Sequence, residues 1–167
     1  MSNQVYSNDT QRYVEQKGIC KFAATNVGGL MANGTAIPLV FTNTPLIPDQ
    51  NVSGIVLNDP SGLVEVQNDG VYTIGVQIKL NTEDTFAFTY DAFLELRFFG
   101  AVPTIIKLAE NFCNHANATP AQLEDSTFLT TTIYLPAHSS FWAVVTNRNS
   151  AHDPHLNSAN ITITKIA

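Results

Sequence analysis

Charged residues are scarce in this sequence: they make up 13% of its 167 residues, whereas hydrophobic residues make up 44%. Disordered chains combine low hydrophobicity with high net charge, so this composition predicts a folded domain with a core of real size. Many surface positions must then carry uncharged polar residues, which here are mainly Thr and Asn. Such a surface is common where proteins meet other proteins or glycans.

Basic residues are scarcer still. Eight Lys and Arg face fourteen Asp and Glu, which leaves a formal net charge of −6. Nucleic-acid binding needs a basic patch, and the first 18 residues contain only Arg12 and Lys17. We therefore expect no nucleic-acid partner and no genome-packaging arm.

Long hydrophobic runs are missing as well. No stretch approaches the roughly 18 apolar residues that a membrane-spanning helix requires. No apolar segment follows Met1, so we expect no secretory signal peptide. Export would then depend on particle release or another non-standard route.

Cysteine is limited to Cys20 and Cys113, and two distant cysteines do not define a disulfide framework. A single disulfide is one alternative. Two buried thiols that behave as small hydrophobic side chains are the favoured one.

Helical periodicity is almost absent. Ile105–Cys113 is the best helix candidate, and a strand followed by a loop fits it equally well. Elsewhere, β-branched and aromatic residues form short runs between Gly, Pro, Asn and Asp, which is typical of a β-sandwich or barrel. The predicted strands lie near Cys20–Thr25, Ala36–Phe41, Gly54–Leu57, Leu63–Val66, Val71–Leu80, Phe86–Phe99 (with a break near Asp91), Pro103–Leu108, Phe128–Leu135, Ser140–Asn147 and Asn160–Ile166.

The chain divides into a polar N-terminal arm, residues 1–18, and one domain, residues 19–167. Two long surface loops are expected within the domain, at Asn111–Asp125 and from Asn147 to Ser158. The arm is a candidate for contact with other particle or surface proteins.

Strict alternation marks the predicted strand Val71–Leu80, because successive side chains of a strand point to opposite faces. One face carries Tyr72 and four aliphatic residues, and the other carries Val71, Thr73, Gly75, Gln77 and Lys79. Phe128–Leu135 and Asn160–Ile166 alternate in the same way. Their core-facing residues are predicted to be Leu129, Ile133, Leu135, Ile161 and Ile163.

Five segments resemble the C1q/tumour-necrosis-factor-like jelly roll: AIPLVF (Ala36–Phe41), LVEVQNDGVYTIGVQIKL (Leu63–Leu80), FLELRFFGAVPTIIKL (Phe93–Leu108), TTTIYLPAHSSFWAVV (Thr130–Val145) and ANITITKIA (Ala159–Ala167). The resemblance implies an all-β, two-sheet antiparallel jelly-roll sandwich that assembles as a compact homotrimer. The sequence differs from the family pattern at His138-Ser139, in a turn where the family usually has Gly-Asp. Without a collagen-like stalk, anchor or signal, a bacterial, phage or viral relative fits best.

A trimer would use the faces of the alternating strands that point away from the core. Small Gly75 would let a second subunit approach closely, and two aromatic rings on a non-core face favour an interface. The alternative is a monomeric sandwich that covers Phe128 and Tyr134 with a loop. The predicted interface residues are Val71, Thr73, Gly75, Phe128, Thr132, Tyr134 and Ile166.

Motifs for catalysis are not found: the sequence lacks a nucleophile elbow, a P-loop, a dinucleotide fingerprint and the His-x-His cluster of cupins. The segment AHDPH has His152, Asp153 and His155, yet Pro154 and the missing third ligand favour a solvated loop over a metal site. The pairs Glu83-Asp84 and Glu124-Asp125 are interpreted as loop charges. The resemblance admits a calcium ion, but no residue can be assigned to it, so no cofactor is predicted.

Function is predicted to be structural or binding and not enzymatic. The leading hypothesis is a trimeric virion or phage surface component, such as a capsid, spike or fibre-head protein, with a glycan or protein receptor. The second hypothesis is a carbohydrate- or receptor-binding protein on a bacterial spore coat or cell surface. An enzyme on a jelly-roll scaffold is the third. Trp142, the only tryptophan, is assigned to core or subunit packing in preference to a receptor anchor.

Overall fold

The computed structural model describes residues 19–29, 31–32, 34–45, 54–58, 61–82, 88–99, 105–115, 123–150 and 155–166. Within these ranges all regular elements are β-strands, and none is a helix that could cross a membrane. The arm at residues 1–18 lies outside them, so the predicted division of the chain is untested. The strands are β1 (Ile19–Ala24), β2 (Ala36–Pro38), β3 (Phe41–Pro45), β4 (Ile55–Asn58), β5 (Leu63–Val66), β6 (Gly70–Thr82), β7 (Phe88–Phe99), β8 (Ile105–His115), β9 (Leu123–Leu135), β10 (Ser139–Ser150) and β11 (His155–Lys165).

Two antiparallel sheets form the molecule. The first sheet has the strand order β3-β1-β11-β6-β9, and the second has the order β4-β5-β10-β7-β8, with β2 also pairing with β10. Neighbouring strands are often distant in the chain, as with β1 beside β11 and β6 beside β9. The predicted all-β, two-sheet antiparallel sandwich is therefore confirmed.

The core lies between the sheets and follows the predicted alternation. On β6, Tyr72 and the four aliphatic side chains from Ile74 to Leu80 are buried, as are Ile161 and Ile163 on β11. The second sheet contributes Phe141 and Val145 from β10. Each large side chain buried in this way stabilises the fold by about 1.5–3 kcal/mol relative to exposure.

The predicted strand Ala36–Phe41 is wrong as one element, because its two ends belong to different sheets. β2 pairs with β10 of the second sheet, and β3 pairs with β1 of the first. Pro38 has no N–H and ends β2. The chain then crosses the sandwich at Leu39, which is fully buried.

A single side chain satisfies the backbone on both sides of this crossing. The Asn26 amide donates to the Pro38 carbonyl at 2.7 Å, and its oxygen accepts the Val40 N–H at 2.9 Å. The Leu39 N–H donates to the Ala143 carbonyl at 2.8 Å. Leu39 can therefore enter the core without leaving buried backbone groups unpaired.

Several predicted boundaries are wrong because pairing partners lengthen the strands. Ile105–Cys113 is not helical; it belongs to β8, which pairs with β7 along nearly its whole length. The two predicted loops are shorter than the sequence indicated, because strands occupy residues 111–115, 123–125, 147–150 and 155–158. β7 is also continuous through Asp91, and the irregularity lies opposite it on β10, between Asn147 and Asn149.

Truncating a core side chain of β6 is expected to be far more costly than truncating its exposed neighbour. Ile78 is 1% exposed, so Ile78→Ala should lower the free energy of unfolding by about 2–5 kcal/mol. Lys79→Ala, one residue further and on the exposed side, should change it by about 0.5 kcal/mol or less. Urea denaturation of both variants at one protein concentration measures the difference, and equal losses would contradict the assigned faces.

Candidate functional site

The outer face of the first sheet is formed by the side chains of β11, β6 and β9 that point away from the core. Strand register places them in rows across the sheet. Thr73 lies between Thr164 and Thr132, and in the next row Gly75 lies between Thr162 and Thr130. The centre of this face is therefore a closely spaced array of threonines around one glycine.

All seven predicted interface residues meet on this face. Val71, Thr73 and Gly75 of β6 lie directly opposite Tyr134, Thr132 and Thr130 of β9. Phe128 continues the β9 row, and the Ile166 N–H donates to the Val71 carbonyl at 2.7 Å. Their role as a trimer interface stays a prediction.

Two aromatic rings flank the threonines and are largely exposed. Phe128 is 63% exposed and Tyr134 is 58% exposed. A monomeric sandwich that buries both rings under a loop does not match these values. Rings of this size left in water are a substantial unburied apolar area on this face.

Phe128 lies over Gly75 in the same chain. A Cβ atom built on Gly75 would lie 3.3 Å from Cζ and 3.4 Å from Cε2 of the ring. The sequence suggested that Gly75 leaves room for a second subunit. Within one chain, its missing side chain lets an aromatic residue of the adjacent strand pack on the backbone, as aromatic residues do beside glycines in sheets. The approach of a second subunit stays a prediction.

Polar groups on this face bond to one another across the strands. The Thr73 and Thr132 hydroxyls lie 3.0 Å apart, and the Asn160 amide donates to Gln77 Oε1 at 3.4 Å. Tyr134 O–H lies at 3.5 Å from Asp69 Oδ2. These cross-strand partners were not found from the sequence, because they depend on register, which alternation alone does not give.

The outer face of the second sheet carries Trp142. Its chain neighbours Phe141 and Ala143 enter the core, so Trp142 points to the opposite side. Of the two predicted alternatives, core packing is therefore wrong, and packing between subunits stays a prediction. Its ring packs edge to face with Phe99, with centroids 4.6 Å apart. Arg97, directly opposite Trp142 on β7, forms an ion pair with Glu95 at 2.8 Å.

A tight turn joins β9 to β10 beside this cluster. The Ser139 N–H donates to the Pro136 carbonyl at 3.1 Å, and His138 has a left-handed φ of 62°. This conformation favours glycine, which explains why Gly is usual here in the family that the sequence resembles. The His138 ring lies 3.0 Å from Glu65 Oε1.

Solved structures share the topology. The crystal structure of murine APRIL at pH 8.0 matches with a TM-score of 0.59 over 90% of this chain and 100% of its own, at 11% identity. Eiger TNF from S. frugiperda matches with a TM-score of 0.56 over 90% of this chain and 93% of its own, at 18% identity. The chain has a tumour-necrosis-factor-like jelly-roll fold.

The predicted C1q/TNF-like jelly roll is thereby confirmed at the level of the fold. No protein-family model and no curated protein sequence matches the chain. At 11–18% identity, the TNF-like likeness shows the fold alone.

Most of the candidate metal ligands lie outside the described residues. Within its described part, no group of three or more His, Cys, Asp or Glu could hold a metal ion. His152 and Asp153 lie outside the described residues, as does the pair Glu83-Asp84. Glu124 and Asp125 lie in β9 and not in a loop. That the protein has no cofactor stays a prediction, with calcium as the unassigned alternative.

Two titratable groups of the TNF-like sandwich are shifted by burial. Burial raises the pKa of the Cys20 thiol above its ordinary value, and this cysteine is buried as predicted. Whether it pairs with Cys113 stays open, because the Cys113 side chain lies outside the described residues. Burial, followed by the negative charge of Asp69, raises the pKa of Tyr72. The Tyr72 hydroxyl donates to the Asn68 carbonyl at 2.7 Å.

The raised pKa of Tyr72 predicts a loss of stability in alkali. Its neutral form is favoured in the folded state, so its contribution is complete below the unfolded pKa of about 10 and disappears as pH rises through the folded pKa. Tyr72→Phe should cost about 1 kcal/mol at neutral pH for the lost hydrogen bond. The difference from wild type should then shrink above pH 10 in urea denaturation.

Asp69→Asn serves as the control for this effect. It removes the smaller cause of the Tyr72 shift and keeps the burial, so the alkaline loss should still begin at the unfolded pKa of about 10 but should be smaller and should end at lower pH. A Tyr72→Phe variant whose stability falls in parallel with wild type above pH 10 would contradict the assignment.

Proposed function

We propose that this chain is a non-enzymatic binding module that assembles as a homotrimer through the outer face of the first sheet. The observation that carries the proposal is the pair of exposed rings, Phe128 and Tyr134, on a rigid face. Burying an aromatic side chain contributes about 1.5–3 kcal/mol, and a few buried aromatic residues dominate many interfaces. A second copy of the chain gives both rings a partner.

Three features support this assembly. The resemblance to C1q/TNF-like domains implies compact homotrimers, and the TNF-like fold itself is shown by the likeness to murine APRIL and Eiger TNF. Phe128 is held over Gly75, so little conformational freedom is lost when it is covered. Thr73 and Thr132 share a hydrogen bond, so water can leave this pair without stranding both hydroxyls.

The module is further proposed to be a surface component of a virion or phage particle, such as a capsid, spike or fibre head. The many uncharged Thr and Asn residues, together with a net charge of −6 for the chain, support an exposed role in contact with proteins or glycans. Residues 1–18 would attach it to other particle proteins. The proteome of purified particles tests this location, and particles that lack the chain would exclude it.

The alternative is a carbohydrate- or receptor-binding protein on a bacterial surface. The Trp142–Phe99 pair on the outer face of the second sheet favours a ligand there. Both proposed functions require the same homotrimer, so the mass of the assembly tests this common requirement.

Light scattering coupled to size exclusion should give a mass near three times the 18.2 kDa of the chain. Gly75→Arg should convert the assembly to a folded monomer, because its side chain displaces Phe128 and brings a charge into the interface. Tyr134→Glu should do the same without any change at Gly75.

Val56→Arg is the matched control for this experiment. Val56 is 44% exposed on β4 of the second sheet, so a charge there should leave the trimer intact. A wild-type monomer at micromolar concentration, or an unchanged mass in both Gly75→Arg and Tyr134→Glu, would overturn the proposal.

A further inference from the structure

Ser140 lies between two larger side chains on the outer face of the second sheet. On β10 it is directly opposite Glu65 of β5 on one side and Phe99 of β7 on the other. Neighbouring strands are about 4.8 Å apart, so the Glu65 and Phe99 backbones are separated by about 10 Å. The row therefore has a small residue between two large ones, and this part of the surface is here called the Ser140 site.

Aromatic rings form one wall of the Ser140 site. Phe99 is 39% exposed. Trp142 lies two residues beyond Ser140 on the same face of β10, and the two rings meet edge to face with an interplanar angle of 72°. Each ring holds the other in place, so an apolar surface is ready without rearrangement.

Polar groups with fixed positions form the opposite wall. Gln67 Nε2 donates to Glu65 Oε1 at 3.0 Å, and His138 Nδ1 lies 3.0 Å from the same oxygen. Both contacts use Oε1, so the carboxylate keeps acceptor capacity at Oε2. The left-handed backbone of His138 costs on the order of 1 kcal/mol in strain, and it places the ring against Glu65.

A guanidinium group completes the site. Nε and Nη2 of Arg97 both donate to Glu95 Oε2, at 3.0 and 2.8 Å, which fixes the plane of the group. Glu95 balances the charge of Arg97, and His138 lies against the charge of Glu65. Arg97 is already paired with Glu95, and Glu65 already accepts a hydrogen bond from Gln67, so a neutral ligand with hydroxyl groups suits this site better than an anion or a cation.

We propose that the Ser140 site binds a neutral carbohydrate, one pyranose unit of a glycan. Its apolar C–H face would pack on the Phe99 and Trp142 rings, a hydroxyl would donate to Glu65, and another would accept from Arg97. Ligand sites combine an apolar surface with a few placed polar groups in this way. The groups come from a single chain, so the site does not depend on the proposed trimer.

A single sugar on so shallow a surface is expected to bind with a Kd on the order of 1 mM. Three copies in one assembly would bind a multivalent glycan about 10²–10⁴ times more tightly. The site therefore suits recognition of a densely glycosylated surface.

The test uses methyl glycosides of glucose, galactose, mannose, fucose and N-acetylglucosamine as probes. Trp142 is the only tryptophan, so its fluorescence should change on titration with the sugar that binds, and the same sugar should show saturation-transfer NMR signals. Concentrations up to roughly 50 mM are needed for a Kd in the millimolar range. No signal from any of the five probes would overturn the proposal.

Three variants locate the binding. Phe99→Ala removes part of the aromatic wall, the isosteric Glu65→Gln replaces the charged acceptor, and Ser140→Phe places a bulky ring between Glu65 and Phe99. Each should weaken binding at least tenfold while circular dichroism shows an intact fold. A sugar affinity equal to that of the wild type in both Glu65→Gln and Ser140→Phe would overturn the assignment. A change in Trp142 fluorescence with a peptide library but with no sugar would overturn it as well.

Tyr134→Glu separates this proposal from the proposed trimer. It lies on the other sheet, so it should leave binding of a monovalent sugar unchanged even when it alters the mass of the assembly. Loss of sugar binding in Tyr134→Glu would place the ligand at the subunit interface and overturn the Ser140 site.

Discussion

The pairing of β6 with two distant strands is the constraint on which the rest of the molecule depends. β6 lies between β11 and β9, and its register with both determines which residues face the core. A slip of one residue would turn every side chain to the other face. The same register that buries Ile74 and Val76 therefore brings Thr73 and Gly75 into the threonine array outside, so core and candidate interface are two sides of one arrangement.

The sequence predicted what depends on local alternation. The buried side of β6, the core residues Ile161 and Ile163, and the shared face of the seven interface residues all follow from a period of two. Long-range pairing could not be predicted in this way. The split at Leu39 depends on the Asn26 side chain, the extension of β8 to His115 depends on β7, and the packing of Phe128 on Gly75 depends on register between strands more than fifty residues apart.

The two outer faces differ in how they hold aromatic rings. On the first sheet, Phe128 and Tyr134 stand apart at the margins of paired threonines, an arrangement suited to a large flat partner. On the second sheet, Phe99 and Trp142 touch each other beside the Arg97–Glu95 ion pair, an arrangement suited to a small ligand. One TNF-like sandwich thus presents two differently built aromatic surfaces, and each lies on strands that pack against the core.

The position of β11 between β1 and β6 has a consequence for how the protein is made. β1, at residues 19–24, has its main partner at residues 155–165, so its pairing waits until almost the whole described chain has left the ribosome. Contacts this distant in sequence slow folding, and until they form, the edges of β1 and β6 are open to pairing with other chains. When many copies are synthesised close together, correct assembly therefore requires that each chain folds faster than its open strand edges meet those of another unfinished chain.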